Sequence, residues 1–141
     1  RLTPIVRKPE KGIVLHRLWI ESGNAPGESP IILYLHDRGK ANLAREPLMA
    51  WCEQNVVYYV LGLAKNSRLL QELGNELVQA RQEYEQTGQP ARAFAQFWYR
   101  TRKTWSRPRR VVGKAEHLPK GANPRFIVTS LRADEVDARA L

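Results

Sequence analysis

Cysteine and methionine are nearly missing from this chain of 141 residues, where Cys52 and Met49 each stand alone. One thiol excludes an intramolecular disulfide framework and a cysteine-based zinc module. Cys52 falls on the apolar side of an expected helix with no base nearby in sequence, which favours a buried, inert thiol over a nucleophile. The histidines His16, His36 and His117 are far apart and lack the i, i+4 pairing of a zinc site. No apolar run is long enough to cross a bilayer, and the charged start and apolar core of a signal peptide are absent. These absences point to a cytoplasmic protein with no membrane partner. The chain opens on Arg1 rather than Met, as a piece of something longer would. GxGxxG, Walker A and GxSxG patterns do not occur, nor do internal repeats or low-complexity tracts. Acid is scarce as well: 14 Asp+Glu stand against 23 Lys+Arg, a formal charge of +9.

The basic surplus is concentrated. Between Arg92 and Arg125 lie Arg92, Arg100, Arg102, Lys103, Arg107, Arg109, Arg110, Lys114, Lys120 and Arg125, with Glu116 the one acid among them. The rest of the chain is neutral, so this block carries the whole net charge. Phe94, Phe97, Trp98, Tyr99 and Trp105 are interleaved with it. Clustered cations beside small polar residues suit a phosphate backbone. Charge alone also admits an Arg-rich solvated face that only keeps the protein soluble. Trp19, Trp51, Trp98 and Trp105 fit a core better than stacking platforms, although Trp105, inside RKTWSRPRR, is the best placed for a nucleotide contact.

The apolar pattern predicts an α/β fold. Ile13–Ile20 reads as a strand, closed by the turn-prone stretch Glu21–Pro30. Ile31–Leu35 and Val56–Leu63 are continuous apolar runs of the kind found in strands covered on both faces. Between them Ala44–Asn55 has Leu48, Trp51 and Cys52 at helical spacing, with Pro47 tolerated in the first turn. Strand, helix and strand within so short a span predict a right-handed parallel pair. Asn66-Ser67 offers a cap to a helix running to about Gln86, with Leu69, Leu70, Leu73, Leu77, Ala80 and Tyr84 on one face. Gly74 weakens that helix and Gly88 stops it. Phe94–Arg102, Arg109–Leu118 and Arg125–Leu131 predict an antiparallel meander joined by short turns. Arg132–Leu141 is polar and helix-permissive.

Asp37 is the most informative acid. It ends a buried strand ahead of a glycine and a helix, where open α/β sheets place their ligands. A structural turn aspartate fits the same position, and one carboxylate cannot hold a pair of Mg²⁺ ions.

The run AREPLMAWCEQNVVYYVLGLAKNSRLL (Ala44–Leu70) is similar to the central segment of bacterial insertion-sequence transposases with a group 1 DDE domain. FWYRTRKTWSRPRRVVGKAEHLPKGANPRFIVTSL (Phe97–Leu131) resembles the segment that follows in the same family. The motifs GLAKN, YRT-x-x-x-WS, RRVVGKAE and GANPRF occur in the family's order, and the resemblance covers about residues 44–141. It implies an RNase H-like core in which three acids bind two Mg²⁺ ions for in-line attack on DNA phosphodiesters. It also implies that the basic meander is an insertion in that core, packed along transposon-end DNA. In these terms residues 1–30 precede any family match, 31–66 form part of the core, 67–131 are a helix plus the basic β insertion, and 132–141 begin a truncated C-terminal core segment. A homodimer is open to a full-length transposase.

The resemblance implies Asp37 as the second metal-binding, catalytic acid, although the family's Ser-Gly-Phe after it is replaced here by LHDRGKANLARE. The first acid's motif is not recognisable before Ile31, and the third is expected beyond Leu141. The DNA contacts implied are Arg100, Arg102, Lys103, Trp105, Arg107, Arg109, Arg110, Lys114, Lys120 and Arg125. The chain thus reads as a DNA-binding but catalytically incomplete transposase fragment. The alternatives are a non-catalytic nucleic-acid-binding module and a degenerate relic, whose bared edge at Ile31–Leu35 would invite aggregation.

Overall fold

Among the described residues eight strands share a single sheet, most of them built from runs rich in β-branched, aliphatic and aromatic residues. The computed structural model describes residues 5–7, 15–19, 31–35 and 43–141. The strands are β1 (Ile5–Arg7), β2 (Leu15–Trp19), β3 (Ile31–Leu35), β4 (Val57–Leu63), β5 (Ala91–Tyr99), β6 (Arg109–Leu118), β7 (Gly121–Ala122) and β8 (Arg125–Thr129). They are ordered β1-β2-β3-β4-β8-β6-β5, with β7 attached to β6. The expected parallel pair is present, Ile31 lying opposite Val57 and Leu35 opposite Leu61. Helix α1 (Glu46–Gln54) connects its two strands. The edge of β3 is covered by antiparallel β2, so the bared edge expected there does not occur.

The meander forms as predicted, β5 against β6 and β6 against β8, all antiparallel. Its position differs from that of a separate unit, because β8 also pairs with β4, Val60 lying opposite Thr129 and Leu63 opposite Phe126. The β4 edge away from β3 needs hydrogen-bond partners, and β8 supplies them. One apolar cluster accordingly draws Met49, Tyr59 and Leu61 together with Leu69, Leu73, Val111, Phe126 and Val128.

The helix expected from Ser67 to Gln86 is two helices, α2 (Ser67–Glu72) and α3 (Gly74–Thr87), parted at Leu73. Asn66 caps α2, its side-chain oxygen accepting from Leu69 N at 2.9 Å. Gly88 ends α3 with φ +67°, the left-handed conformation that glycine adopts at no steric cost. The apolar stripe buries Leu69, Leu73 and Ala80 against the sheet. Leu73 lies over Gly113 so closely that a Cβ there would stand 2.8 Å from Leu73 Cδ1 and 3.1 Å from Phe126 Cε1. Gly113→Val is expected to cost about 1–3 kcal/mol by overpacking, read as a lower urea midpoint at unchanged slope.

All three helices pack on one face of the sheet. The opposite face carries a smaller cluster, Val60 and Leu131 with Tyr34, Tyr58, Ile127, Val136 and Leu141. There the chain after β8 lies back on the sheet and ends in a 3-10 turn, Ala138–Ala140. Among the described residues no helix is long and apolar enough to cross a membrane.

Candidate nucleic-acid interface

The β5–β6 connection, residues 100–108, holds the densest cations of the basic block. Its shape comes from Thr101, whose hydroxyl oxygen accepts from Trp105 N at 2.8 Å and from Thr104 N at 3.2 Å. These bonds end β5 at Tyr99, short of the Arg102 that the apolar pattern predicted. Arg100 Nε donates to Trp105 O at 3.1 Å. Trp105 turns inward and is only 3% exposed. Its Nε1 donates to Ala44 O at 3.2 Å, and its ring meets Tyr99 edge-on, centroids 5.7 Å apart. With the tryptophan as anchor, Arg102 and Lys103 are left exposed on the connection.

Helix α1 supplies the opposing charge. Glu46 and Glu53 are seven residues apart, two helical turns, and therefore share a face. Arg109 lies between them, 3% exposed, with Nη1 on Glu46 Oε2 at 2.6 Å and Nε on Glu53 Oε1 at 2.8 Å. Its Nη2 donates to both carboxylates at 3.1 Å. Ser106 Oγ donates to Glu46 at 2.6 Å, Arg107 pairs with Glu53 at 2.8 Å, and Tyr59 Oη donates to Glu53 at 2.7 Å.

Hydrogen bonds from Arg109 hold the Glu46 carboxyl down to about 2, against the opposing effect of burial. Burial pushes Glu53 up, but bonds from Arg109, Tyr59 and Arg107 outweigh it and its pKa is lowered. Burial and donation to Glu53 both raise the Tyr59 phenol. Burial alone would lower the pKa of Arg109, yet its two carboxylates raise it. The glutamates and arginines of the cluster are ionised at neutral pH, and they fix the basic connection to α1 at both ends, Ser106 on Glu46 and Arg107 on Glu53.

The ten expected contact residues divide three ways. Arg100, Arg102, Lys103, Arg107 and Lys120 are exposed. Lys114 and Arg125 are half-buried on the helix-free face of the sheet. Arg109, Arg110 and Trp105 are buried, a different outcome from the DNA contact expected of them. Arg110 donates to Gln96 at 2.7 Å and to the carbonyls of Leu131 and Val136 at 3.0 Å, binding the last ten residues to the sheet. With Arg109 spent on two carboxylates and Arg110 on a side-chain amide and two carbonyls, their guanidiniums act as internal ties. Glu116, the block's acid, is buried and held ionised by Asn123 and Arg92 against the upward push of burial. Cys52 is fully buried and burial raises its pKa, as expected of an inert thiol.

Two tryptophans expected in the core are exposed, Trp51 at 55% and Trp98 at 75%. On β5 the buried alternation runs through Ala91, Ala93 and Tyr99, and Trp98 takes the other phase. Trp98 overlooks a cavity of about 720 Å³ at the end of the sheet, lined also by Arg107, Arg110, Ser130 and Arg132. The glutamates and this cavity were the features missed in sequence. The seven-residue spacing of Glu46 and Glu53 was the available signal for the former.

Asp37 lies outside the described residues. Among the described residues no group of three or more His, Cys, Asp or Glu is placed to hold a cation. Glu46 and Glu53 are engaged by arginines, so the described residues do not fit a two-ion Mg²⁺ centre.

Residues 28–141 match the family described as transposase DDE domain group 1. The match starts ahead of Ala44, where the motif resemblance begins, and takes in β3 and Asp37. No curated protein and no solved structure matches the chain.

Proposed function

The chain belongs to the transposase DDE domain group 1 family, whose role is transposition, and on that premise we propose that its basic stretch grips transposon-end DNA by the phosphate backbone. The observation that carries the reading is the fixed connection at residues 100–108. Arg100, Arg102, Lys103 and Arg107 are exposed on a segment that Trp105 and Ser106 anchor to α1. Anchoring lowers the ordering cost of bringing cations to phosphates, and such contacts give affinity without sequence information. Lys120 lies at the far end of β6, whose ten residues span about 30 Å, a distance that several successive phosphates cover.

Duplex affinity is expected to fall steeply with salt, about 0.9 in log–log slope per phosphate neutralised. The double substitution Arg102→Ala with Lys103→Ala should reduce that slope by about 2 and weaken all duplex sequences alike. Fluorescence anisotropy over a salt series measures both. An unchanged slope would mean that these cations face solvent only. The resemblance offers Asp37 alone to two-ion chemistry, and on this reading the chain binds DNA without strand cleavage. Mg²⁺-dependent nicking by the purified chain would overturn that part.

A further inference from the structure

We propose that Trp98 and the cavity beside it form a site for one unpaired nucleotide, the base stacking on the indole and its phosphate meeting Arg107 and Arg132. The inference rests on the DNA-binding reading and adds a single-stranded ligand to it. Trp98 is three-quarters exposed on a strand whose other large apolar residues are at least half-covered. An aromatic face left in water beside cations is the arrangement that binds single strands, since every base offers a π-face and every linkage a charge. The cavity, about 720 Å³, lies in the range of small-ligand sites.

Its charge favours an anion. Arg107, Arg109, Arg110 and Arg132 contribute to its lining against the carboxylates Glu53 and Asp134. Two of these arginines are available at little cost. Among the described residues Arg132 pairs only with exposed Asp134, a contact of small worth in water. Arg107 is 59% exposed, and if it leaves, Glu53 keeps two bonds from Arg109 and one from Tyr59. Buried Arg110, whose partners are an amide and two carbonyls, stays in place and keeps a positive charge in the cavity wall. A protein partner fits less well, because four arginines share the lining with the indole against two carboxylates.

The test compares oligothymidylate with a DNA duplex of equal length, using the full chain. Trp98→Ala removes an exposed side chain, so the fold is expected to survive. Oligothymidylate affinity should fall about 5- to 150-fold, the loss of one base–aromatic stack, with duplex affinity unchanged within about 2-fold. Quenching of tryptophan fluorescence by oligothymidylate should be lost in Trp98→Ala and kept in Trp51→Phe. Arg107→Ala should weaken oligothymidylate binding and flatten its salt dependence. Equal oligothymidylate affinity in wild type and Trp98→Ala would overturn the site while leaving duplex binding intact. Wild-type protein that binds neither DNA would overturn the function proposed above, and this site with it. A change of oligomeric state in Trp98→Ala, with oligothymidylate binding unaltered, would assign the indole to a protein contact instead.

Discussion

Arg109→Ala is expected to lower the unfolding free energy by about 3–5 kcal/mol, the effect of removing one partner from a buried ion pair. The guanidinium is 3% exposed and makes four charge-assisted hydrogen bonds to Glu46 and Glu53. Its loss leaves two carboxylates in a site shaped for a cation, with only Ser106, Arg107 and Tyr59 to satisfy them. Urea unfolding should show a lower midpoint at unchanged slope, while Arg102→Ala should stay within about 0.5 kcal/mol of wild type. Acid titration supplies a second readout. Glu46, held at about 2, and Glu53, also lowered, are carboxylates whose folded pKa lies below the unfolded value. They contribute stability above the ordinary carboxylate pKa of 4.5 and lose it as pH falls toward about 2. Wild-type stability should therefore decline across that window, and the decline should shrink in Arg109→Ala. A variant as stable as wild type would mean that the cluster is not closed in solution. Because an apolar replacement of the whole cluster can be neutral, its worth to this protein lies in registering the 100–108 connection on α1.

Trp105→Ala is expected to cost about 3–5 kcal/mol, as for other buried tryptophans, and to weaken duplex binding through the displaced Arg102 and Lys103. The side chain fills the space between Tyr99, Arg109 and the carbonyl of Ala44. Thermal unfolding followed by circular dichroism measures the stability change. Trp98→Ala is the matched control and should leave the midpoint nearly unchanged. Equal midpoints for the two variants would contradict the buried anchor.

Much of this was legible along the chain. Ile31–Leu35 and Val56–Leu63 carry enough β-branched and aliphatic residues to mark two strands, the second starting at Val57 because Val56 is turned out to solvent, and Asn66 and Gly88 mark helix ends by local chemistry alone. The order of the meander followed from its turns. Its attachment to β4 did not, because which strand satisfies a distant edge is a question of long-range pairing. The site was less readable for a related reason. Arg109 and Arg110 lie close in sequence to exposed Arg107 and are chemically identical to it, and partners 14 to 63 residues away turn them inward. Trp98 and Trp105 likewise look equivalent beside arginines. Strand phase exposes one, and a threonine-capped turn buries the other. The motifs YRT-x-x-x-WS, RRVVGKAE and GANPRF supply the hardware of this arrangement: the Thr101 turn, the Arg109 and Arg110 ties, Gly113 under Leu73, and Asn123 on Glu116.

The seam between β4 and β8 bears on how the chain is made. Thr129 and Tyr59, bonded across it, are 70 residues apart. During synthesis the tyrosine-rich edge of β4 thus leaves the ribosome long before its partner exists. At ordinary elongation rates the wait lasts roughly 3.5–14 s, ample time for another nascent strand to pair there. Chaperone cover over that interval would therefore raise the yield of soluble protein.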